Sequence, residues 1–385
     1  MTVSPAAGSA QERDARPDAS PRRLSSLDAL RGMTVAAMIV VNSPGNRTAY
    51  AQLDHAQWHG CTAADLVFPF FLFIVGVSLA FSLSKRLEAD GAEGMGPRIF
   101  RRALALFALG MLLNAIPGYH LSSIRVPGVL QRIAVCYLLA GLLFIKTSLR
   151  ARLVFTAAAL VGSWLLLTRI PVPGYGAGAL SPEGNLASWL DRLALGAHIY
   201  RQGPYDPEGI LSTLGALATT MAGTFAGQWL RSGAAQGAKI KGLLRAGAFT
   251  FTAGWLWSLS FPLNKALWTS SYALYTAGLA LWGLALCYWL IEVRGIRAWA
   301  RPFEGLGANA IAAYVLPILL IKFLVFYRLP VPGLQDVQPR IFICDHIFGT
   351  WLSPLNASAA FAFSYTFAWL VFFGLLYRRG VVIKI

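Results

Sequence analysis

Charge is what this chain has least of: Asp, Glu, Lys and Arg together make up 13% of its 385 residues, about half the share of an ordinary soluble protein. That scarcity argues against a soluble enzyme. Acids are scarcer still, 17 against 33 basic residues, which leaves a formal charge of +16. There are five His and four Cys, and no cluster of His, Cys and carboxylates has zinc-ligand spacing. Neither a G-x-x-x-x-G-K-[ST] phosphate loop nor a G-x-S-x-G elbow occurs, so the common soluble catalytic templates are absent. Residues 1–23 lack an apolar core, which excludes a cleaved signal peptide. Their Ala, Ser, Pro, Asp and Arg content predicts a disordered cytoplasmic tail.

What is abundant is apolar, 56% of the chain. Apolar stretches recur near 27–43, 64–84, 103–116, 127–145, 153–168, 209–230, 246–261, 270–291, 304–326 and 357–376. At roughly 20 residues per spanning helix, they predict an all-α polytopic membrane protein of about ten transmembrane helices. Ten spans place both termini on one side. Most basic residues fall in the tail and in the connections at 85–102, 146–152, 231–245, 294–301 and 378–384. The rule that basic loops stay inside therefore makes both termini cytoplasmic. The same dispersal, with no aromatic interleaving, excludes a nucleic-acid partner. The expected organisation is a tail over 1–23 and a transmembrane domain over 24–385, with a long outer loop at about 169–208. Trp58, Trp189, Trp268 and Trp351 fall near outer boundaries and suit an interfacial belt.

Cys136 and Cys287 lie inside spans as packing residues, while Cys61 and Cys344 lie at outer ends, where the sequence leaves their pairing open. Polar residues in or beside spans are costly and so informative. Asp28 and Arg31 stand one turn apart at the start of the first span, the spacing of a local ion pair. Asn42 ends that span and needs a partner. The connection DHAQWHGCTAADLVFPFFLF (54–73) carries His55 and His59. Each is either an interfacial imidazole or a base beside a pocket. Thr62 and Asp65 have capping-box spacing, so Asp65 is expected to start the second span.

In RVPGVLQR (125–132), Pro127 is placed to open a helix, and Arg125 and Arg132 either snorkel or hold an anion. The loop 169–208 contains Asp191, Arg192, His198, Tyr205, Asp206 and Glu208, and a loop of that length is often functional. Its end, YDPEG, reads as a cap at Asp206 followed by Pro207 opening the sixth span. Asn264 and Lys265 in PLNKALW, and Asn309 in GLGANAIAAY, are candidates for sugar or phosphate contacts.

The ordered strings DALRG, VN, HAQWHG, ADLVFPFFLFIVG, RVPGVLQR, DRLALGAHIY, YDPEGIL, PLNKALW and GANA resemble the membrane domain of the heparan-alpha-glucosaminide N-acetyltransferase family, over roughly residues 24–385. The resemblance implies transfer of an acetyl group from cytosolic acetyl-CoA to the amine of a glucosamine-like sugar across the membrane. It places the catalytic histidine of the H-A-x-W string at His55 and matches Asn42 to a family asparagine, so Asn42 is expected to be catalytic too, its amide a candidate donor to the oxyanion. Arg31, Arg125, Arg132 and Asn309 are then assigned to the donor, and Asp65, Asp206, Glu208, Asn264 and Lys265 to the acceptor. No metal is expected.

Two positions depart from the family pattern. His59 stands where the animal enzyme has Asn, and Pro317 falls where that enzyme has a second His, whose role cannot carry over. The animal enzyme's extra lumenal domain and preceding span have no counterpart here, which agrees with an inside N-terminus and points to a bacterial inner membrane. Acetyl-CoA, an amino sugar and the lipid bilayer are the expected partners, with a homodimer as a further alternative. Competing readings are a transporter of small sugars or other solutes, whose pathway Asn42 and Arg132 would line, and an O-acyltransferase acting on a cell-envelope glycan.

Overall fold

The computed structural model describes residues 24–118, 120, 122–328 and 337–383, and the tail predicted over 1–23 lies outside them. Thirteen α-helices are present among the described residues: α1 (Ser25–Asn42), α2 (Ala63–Asp90), α3 (Met95–Ala115), α4 (Val129–Lys146), α5 (Leu149–Arg169), α6 (Leu186–Leu195), α7 (Thr213–Arg231), α8 (Gln236–Ser258), α9 (Ser270–Tyr288), α10 (Arg301–Ala308), α11 (Ala310–Phe326), α12 (Pro339–Ile343) and α13 (Pro354–Arg378). Each apolar stretch of the sequence coincides with one of the long helices. By length and composition five of them can cross a membrane: α2, α4, α5, α9 with its π-helical last turn, and α13. Counting α10 and α11, bent by 86° at Asn309, as one span makes six.

Local chemistry sets several boundaries. Thr62 and Asp65 form the expected capping box at the start of α2. The side chains of Ser148, Asn185 and Ser353 each accept a backbone N–H at the starts of α5, α6 and α13. Between helices, glycines allow backbones to touch. A Cβ on Gly76 of α2 would lie 2.0 Å from the Thr220 carbonyl oxygen, and one on Gly223 of α7 would lie 2.0 Å from that of Phe73. This reciprocal small-residue contact is how helices associate where lipid removes the hydrophobic drive. By contrast, α5 and α13 leave most of their apolar surface exposed, as lipid-facing helices do.

Hydrogen bonds show which helix ends meet. Ser26 N–H donates to Glu292 after α9, Arg231 at the end of α7 bonds Glu88 near the end of α2, and Ile383 N–H donates to Asn309. That end of the bundle carries the basic connections. The opposite end joins the C-terminus of α1, the N-termini of α2, α4, α7, α9 and α13, and the segment between α5 and α7.

The predicted long outer loop is folded, with a two-residue strand pair, β1 (Pro171–Val172) and β2 (Gly176–Ala177), then α6 and two 3-10 turns. Leu167, Val172, Leu186, Leu211, Phe261 and Leu267 bury one another beneath it. Two expectations are corrected in this region. Trp268 does not sit in an interfacial belt, because it is fully buried with its indole N–H donating to Thr219. Asp206 does not cap the helix that follows, because α7 starts only at Thr213 behind Ser212 and the Asp206 carboxylate is engaged elsewhere.

Candidate active site

His55 lies in the connection between α1 and α2, with 45% of its side chain exposed. Its Nδ1 is 2.8 Å from Oδ1 of Asp65, in the first turn of α2. Asp65 itself is 1% exposed. Its other oxygen accepts from the backbone N–H of Ala56 at 3.0 Å and from the N–H and hydroxyl of Thr62, both at 3.1 Å. The capping carboxylate thus folds the 54–62 connection back over the helix start and aims the imidazole. A carboxylate on Nδ1 selects the tautomer that puts the lone pair on Nε2.

Lys265 closes the arrangement from a point 210 positions away. Its Nζ lies 3.1 Å from Nδ1 and 3.2 Å from Nε2 of His55, and 3.5 Å from Oδ1 of Asp65. Burial lowers its pKa, with Asp65 and then Glu208 pulling the other way. Asn264 next to it is fully buried, donating to the Trp58 carbonyl at 2.9 Å and lying 3.3 Å from His59 Nδ1. Its own Oδ1 accepts from Leu267 N–H. Asn264 therefore ties the 262–268 segment to the histidine connection. His59 has this amide as its neighbour, and partial burial lowers its pKa.

A second polar layer supports the first. Arg125 binds Asp206 through Nε at 2.9 Å and also pairs with Glu208, and these acids hold its pKa above the ordinary guanidinium value against burial. Asp206 further accepts the N–H groups of Tyr200 and Glu208. Arg132, one turn into α4, is 2% exposed; it donates to the Gly209 carbonyl at 2.9 Å and to the Ser212 hydroxyl, and its Nε and Nη1 have no partner. Its guanidinium lies 5.2 Å from the Trp268 ring centroid, a cation–π contact. Trp268 has φ 46°, a left-handed backbone that is uncommon for a bulky residue. Asp191, whose Oδ1 accepts the Ile210 N–H at 2.8 Å, sits beneath the same turn. Burial, helped by the Asp206 charge, pushes its carboxyl up to about 6.

The residues singled out in the sequence thus divide between two ends of the bundle. His55, Asp65, Arg125, Arg132, Asp206, Glu208, Asn264 and Lys265 converge on one. Arg31 lies at the other, bonded to Asp28 at 2.7 Å, to the Gly307 carbonyl at 3.1 Å and to the Ser78 hydroxyl at 2.7 Å. Asn309 is there too, fully buried at the break between α10 and α11, donating to the Gly305 carbonyl and accepting from Ile383. Asn42 ends α1 with an exposed side chain, and among the described residues no hydrogen bond joins it to His55. Pro317 is buried within α11, and all four cysteines are free thiols. Asp191 and Trp268 carry parts of this site that their sequence context does not announce.

Residues 23–187 match the catalytic family profile of heparan-alpha-glucosaminide N-acetyltransferase. The chain is 32% identical to the Homo sapiens heparan-alpha-glucosaminide N-acetyltransferase, over 81% of this chain and 55% of that protein. It is 31% identical to the Mus musculus protein of the same name, over 77% of this chain and 53% of that protein. The chain spans about half the length of these curated relatives. The matched regions contain the Asp65–His55 pair with its capping box, and the chain belongs to the heparan-alpha-glucosaminide N-acetyltransferase family.

Proposed function

We propose that this protein is a transmembrane N-acetyltransferase that uses acetyl-CoA as donor and the amine of a glucosamine-like sugar as acceptor, with His55 as the catalytic base. The observation that carries the reading is the contact of 2.8 Å between His55 Nδ1 and the buried Asp65 carboxylate, with Lys265 Nζ 3.2 Å from Nε2. Asp65 positions the ring, Nε2 receives a proton, and the ammonium of Lys265 stands where negative charge develops.

A sugar amine is protonated near neutrality and must lose a proton before it attacks. Nε2 of His55 takes that proton. The free amine then attacks the thioester carbonyl, forming the C–N bond as the carbonyl electron pair moves onto oxygen. Lys265 stabilises that oxyanion as a positioned cation. The nitrogen loses its second proton to solvent, the C–S bond breaks, and the departing thiolate takes the proton held by His55. A two-step route is also consistent with this geometry: Nε2 attacks the thioester, CoA leaves as thiolate, and the amine displaces imidazole from the acetyl group.

In this reading the ten long helices span a bacterial inner membrane with both termini cytoplasmic. Donor enters from the basic end and the acceptor meets His55 at the other. Arg125 and Arg132, which the family resemblance assigned to the donor, lie at the His55 end and in this reading shape the acceptor side through Asp206, Glu208 and the 209–212 turn. The test is purified protein in liposomes with labelled acetyl-CoA and a panel of amino sugars. Label appearing on an amino-sugar nitrogen is the expected result. Uptake of sugar with no covalent label would replace the reading with a transporter, and label on a hydroxyl would replace it with an O-acyltransferase.

A further inference from the structure

Beside His55 the surface opens into a cleft of about 780 Å³ whose lining includes Asn46, Thr48, Asp54 and three arginines, Arg47, Arg201 and Arg340. That volume is within the range of small-molecule sites. Its charge is lopsided, three guanidinium groups against the single carboxylate of Asp54. Among the described residues none of the three arginines forms an ion pair. Asp54 is partly spoken for, since its Oδ1 accepts the backbone N–H of His55 at 2.9 Å.

Two of the three arginines, Arg340 and Arg201, contact neighbouring groups, and Arg47 is exposed. Arg340 of α12 donates through Nη1 to the Pro44 carbonyl at 3.0 Å, which ties it to the connection after α1. Among the described residues its Nε is buried with no partner, an expensive state for a charged donor. Burial lowers the Arg340 pKa, with Cys344 opposing the shift and the like charge of Arg47 adding to it. Arg201 packs its guanidinium 5.1 Å from the Tyr200 ring centroid, and Arg125 stands 4.7 Å from the same centroid. Tyr200 N–H in turn donates to Asp206. The third cation of the cleft is thus braced by the polar layer that supports the active site. Asn46 is fixed as well, donating from Nδ2 to the Pro354 carbonyl at 2.8 Å.

We propose that Arg47, Arg201 and Arg340 form an anion subsite that holds a phosphate, sulfate or carboxylate group carried by a molecule whose other end reacts at His55. The inference rests on the reading of His55 as the reacting centre. It adds a requirement that this reading lacks, namely that one of the two substrates is gripped by its negative charge at the His55 end of the bundle. With the donor entering from the opposite end, the source that fits is an acidic group on the acceptor sugar, and a response to the donor's phosphates instead would bring the whole donor to the His55 end. Guanidinium forks match such oxyanions in two-point geometry.

Two variants test it, Arg340→Gln and the double substitution of the exposed residues Arg47→Gln and Arg201→Gln, each in the full chain in liposomes. The acceptor arm compares glucosamine 6-phosphate with glucosamine, and the donor arm compares acetyl-CoA with S-acetylpantetheine, which has no phosphate. The expected result is that the ratio of kcat/KM for the charged over the uncharged member falls at least tenfold in one arm, with Arg340→Lys recovering part of it. The arm that responds identifies the source. Unchanged ratios in both arms overturn the proposal. The thermal midpoint under titration with pyrophosphate is read in parallel, independently of turnover. Stabilisation in the wild type that both variants lose supports the subsite even if no acetyl transfer is found with any acceptor. Pyrophosphate stabilisation undiminished in the variants counts as an adventitious anion and overturns the subsite.

Discussion

His55 and His59 are four positions apart in sequence, both at an outer connection, and only the family resemblance, with Asn in place of His59, sets them apart in the sequence. The structure separates them by their partners. His55 has a buried carboxylate at 2.8 Å and His59 an amide nitrogen at 3.3 Å. An imidazole against a carboxylate is oriented for proton transfer, whereas one against Asn264 serves to hold a segment. Replacing His55 with Ala is therefore expected to lower acetyl transfer ~100-fold or more, the scale of a positioned base. His59→Asn should keep most activity. Initial rates at matched expression and saturating acetyl-CoA decide between them, and a dead His59→Asn beside an active His55→Ala would reassign the base. Asp65 was legible from sequence as a cap and an acceptor candidate, because capping needs only the four positions Thr62 to Asp65, while its bond to His55 needs the connection to fold back. Lys265 was legible in PLNKALW as a candidate sugar or phosphate contact, but not as a neighbour of His55.

At the scale of elements, the α2–α7 contact and the turn over α6 each make a distinct demand. Because Gly76 meets the Thr220 carbonyl oxygen, Gly76→Ala must push the two helices apart. We expect it to cut the yield of monodisperse protein and lower the thermal midpoint by several degrees. Gly162→Ala on α5 meets no atom within 4 Å, and Ala is the better helix former by about 1 kcal/mol. It should leave the midpoint unchanged or raise it. Equal midpoints for both variants would refute the close-packing argument.

Asp191, in α6, ties stability to pH. Its carboxyl is raised from 3.8 to about 6, so the native state holds the proton more tightly than the unfolded chain. The associated stability is fully present below pH 3.8 and is lost as pH rises through about 6. Above that the buried charge costs about 3 kcal/mol. Asp191→Asn keeps an acceptor for the Ile210 N–H without the charge. Its midpoint should exceed the wild type's at pH 7.5 and converge with it near pH 4. A constant offset across that range would assign the effect to packing instead.

Over the whole molecule, one end of the bundle gathers the basic connections and the other gathers His55 and its partners. If the basic end is cytoplasmic, a single Cys at Ala51, before His55, should react with an impermeant thiol reagent from outside, and one at Ala92, between α2 and α3, only after the membrane is opened. Both positions are exposed in the structure. Cys61 and Cys344 are first replaced with Ser. Reversed labelling would invert the topology and put His55 on the side of bulk acetyl-CoA, with no need to carry an acetyl group across the bilayer.

Hydropathy by itself determined where the long helices lie, since an apolar run of span length has few other stable forms in lipid. Boundary chemistry at Thr62 and Asp65 was likewise local and therefore readable. The order of motifs was enough to point to the family, because nine short strings in sequence are far more specific than any one. What a linear reading could not decide was which polar residues share a site. The alternation of basic connections already sets Arg31 at the inner surface and Arg125 and Arg132 at an outer connection, and the structure keeps Arg31 and Asn309 at the end opposite the other two, so the four grouped for the donor do not share one site. The grouping of His55, Asp65 and Lys265 depends on α2 and α9 starting at the same end. The arginine cleft requires the connections after α1, after α6 and before α13 to meet. Such convergence is a property of helix packing across long separations, where no periodicity or spacing in the chain records which ends come together.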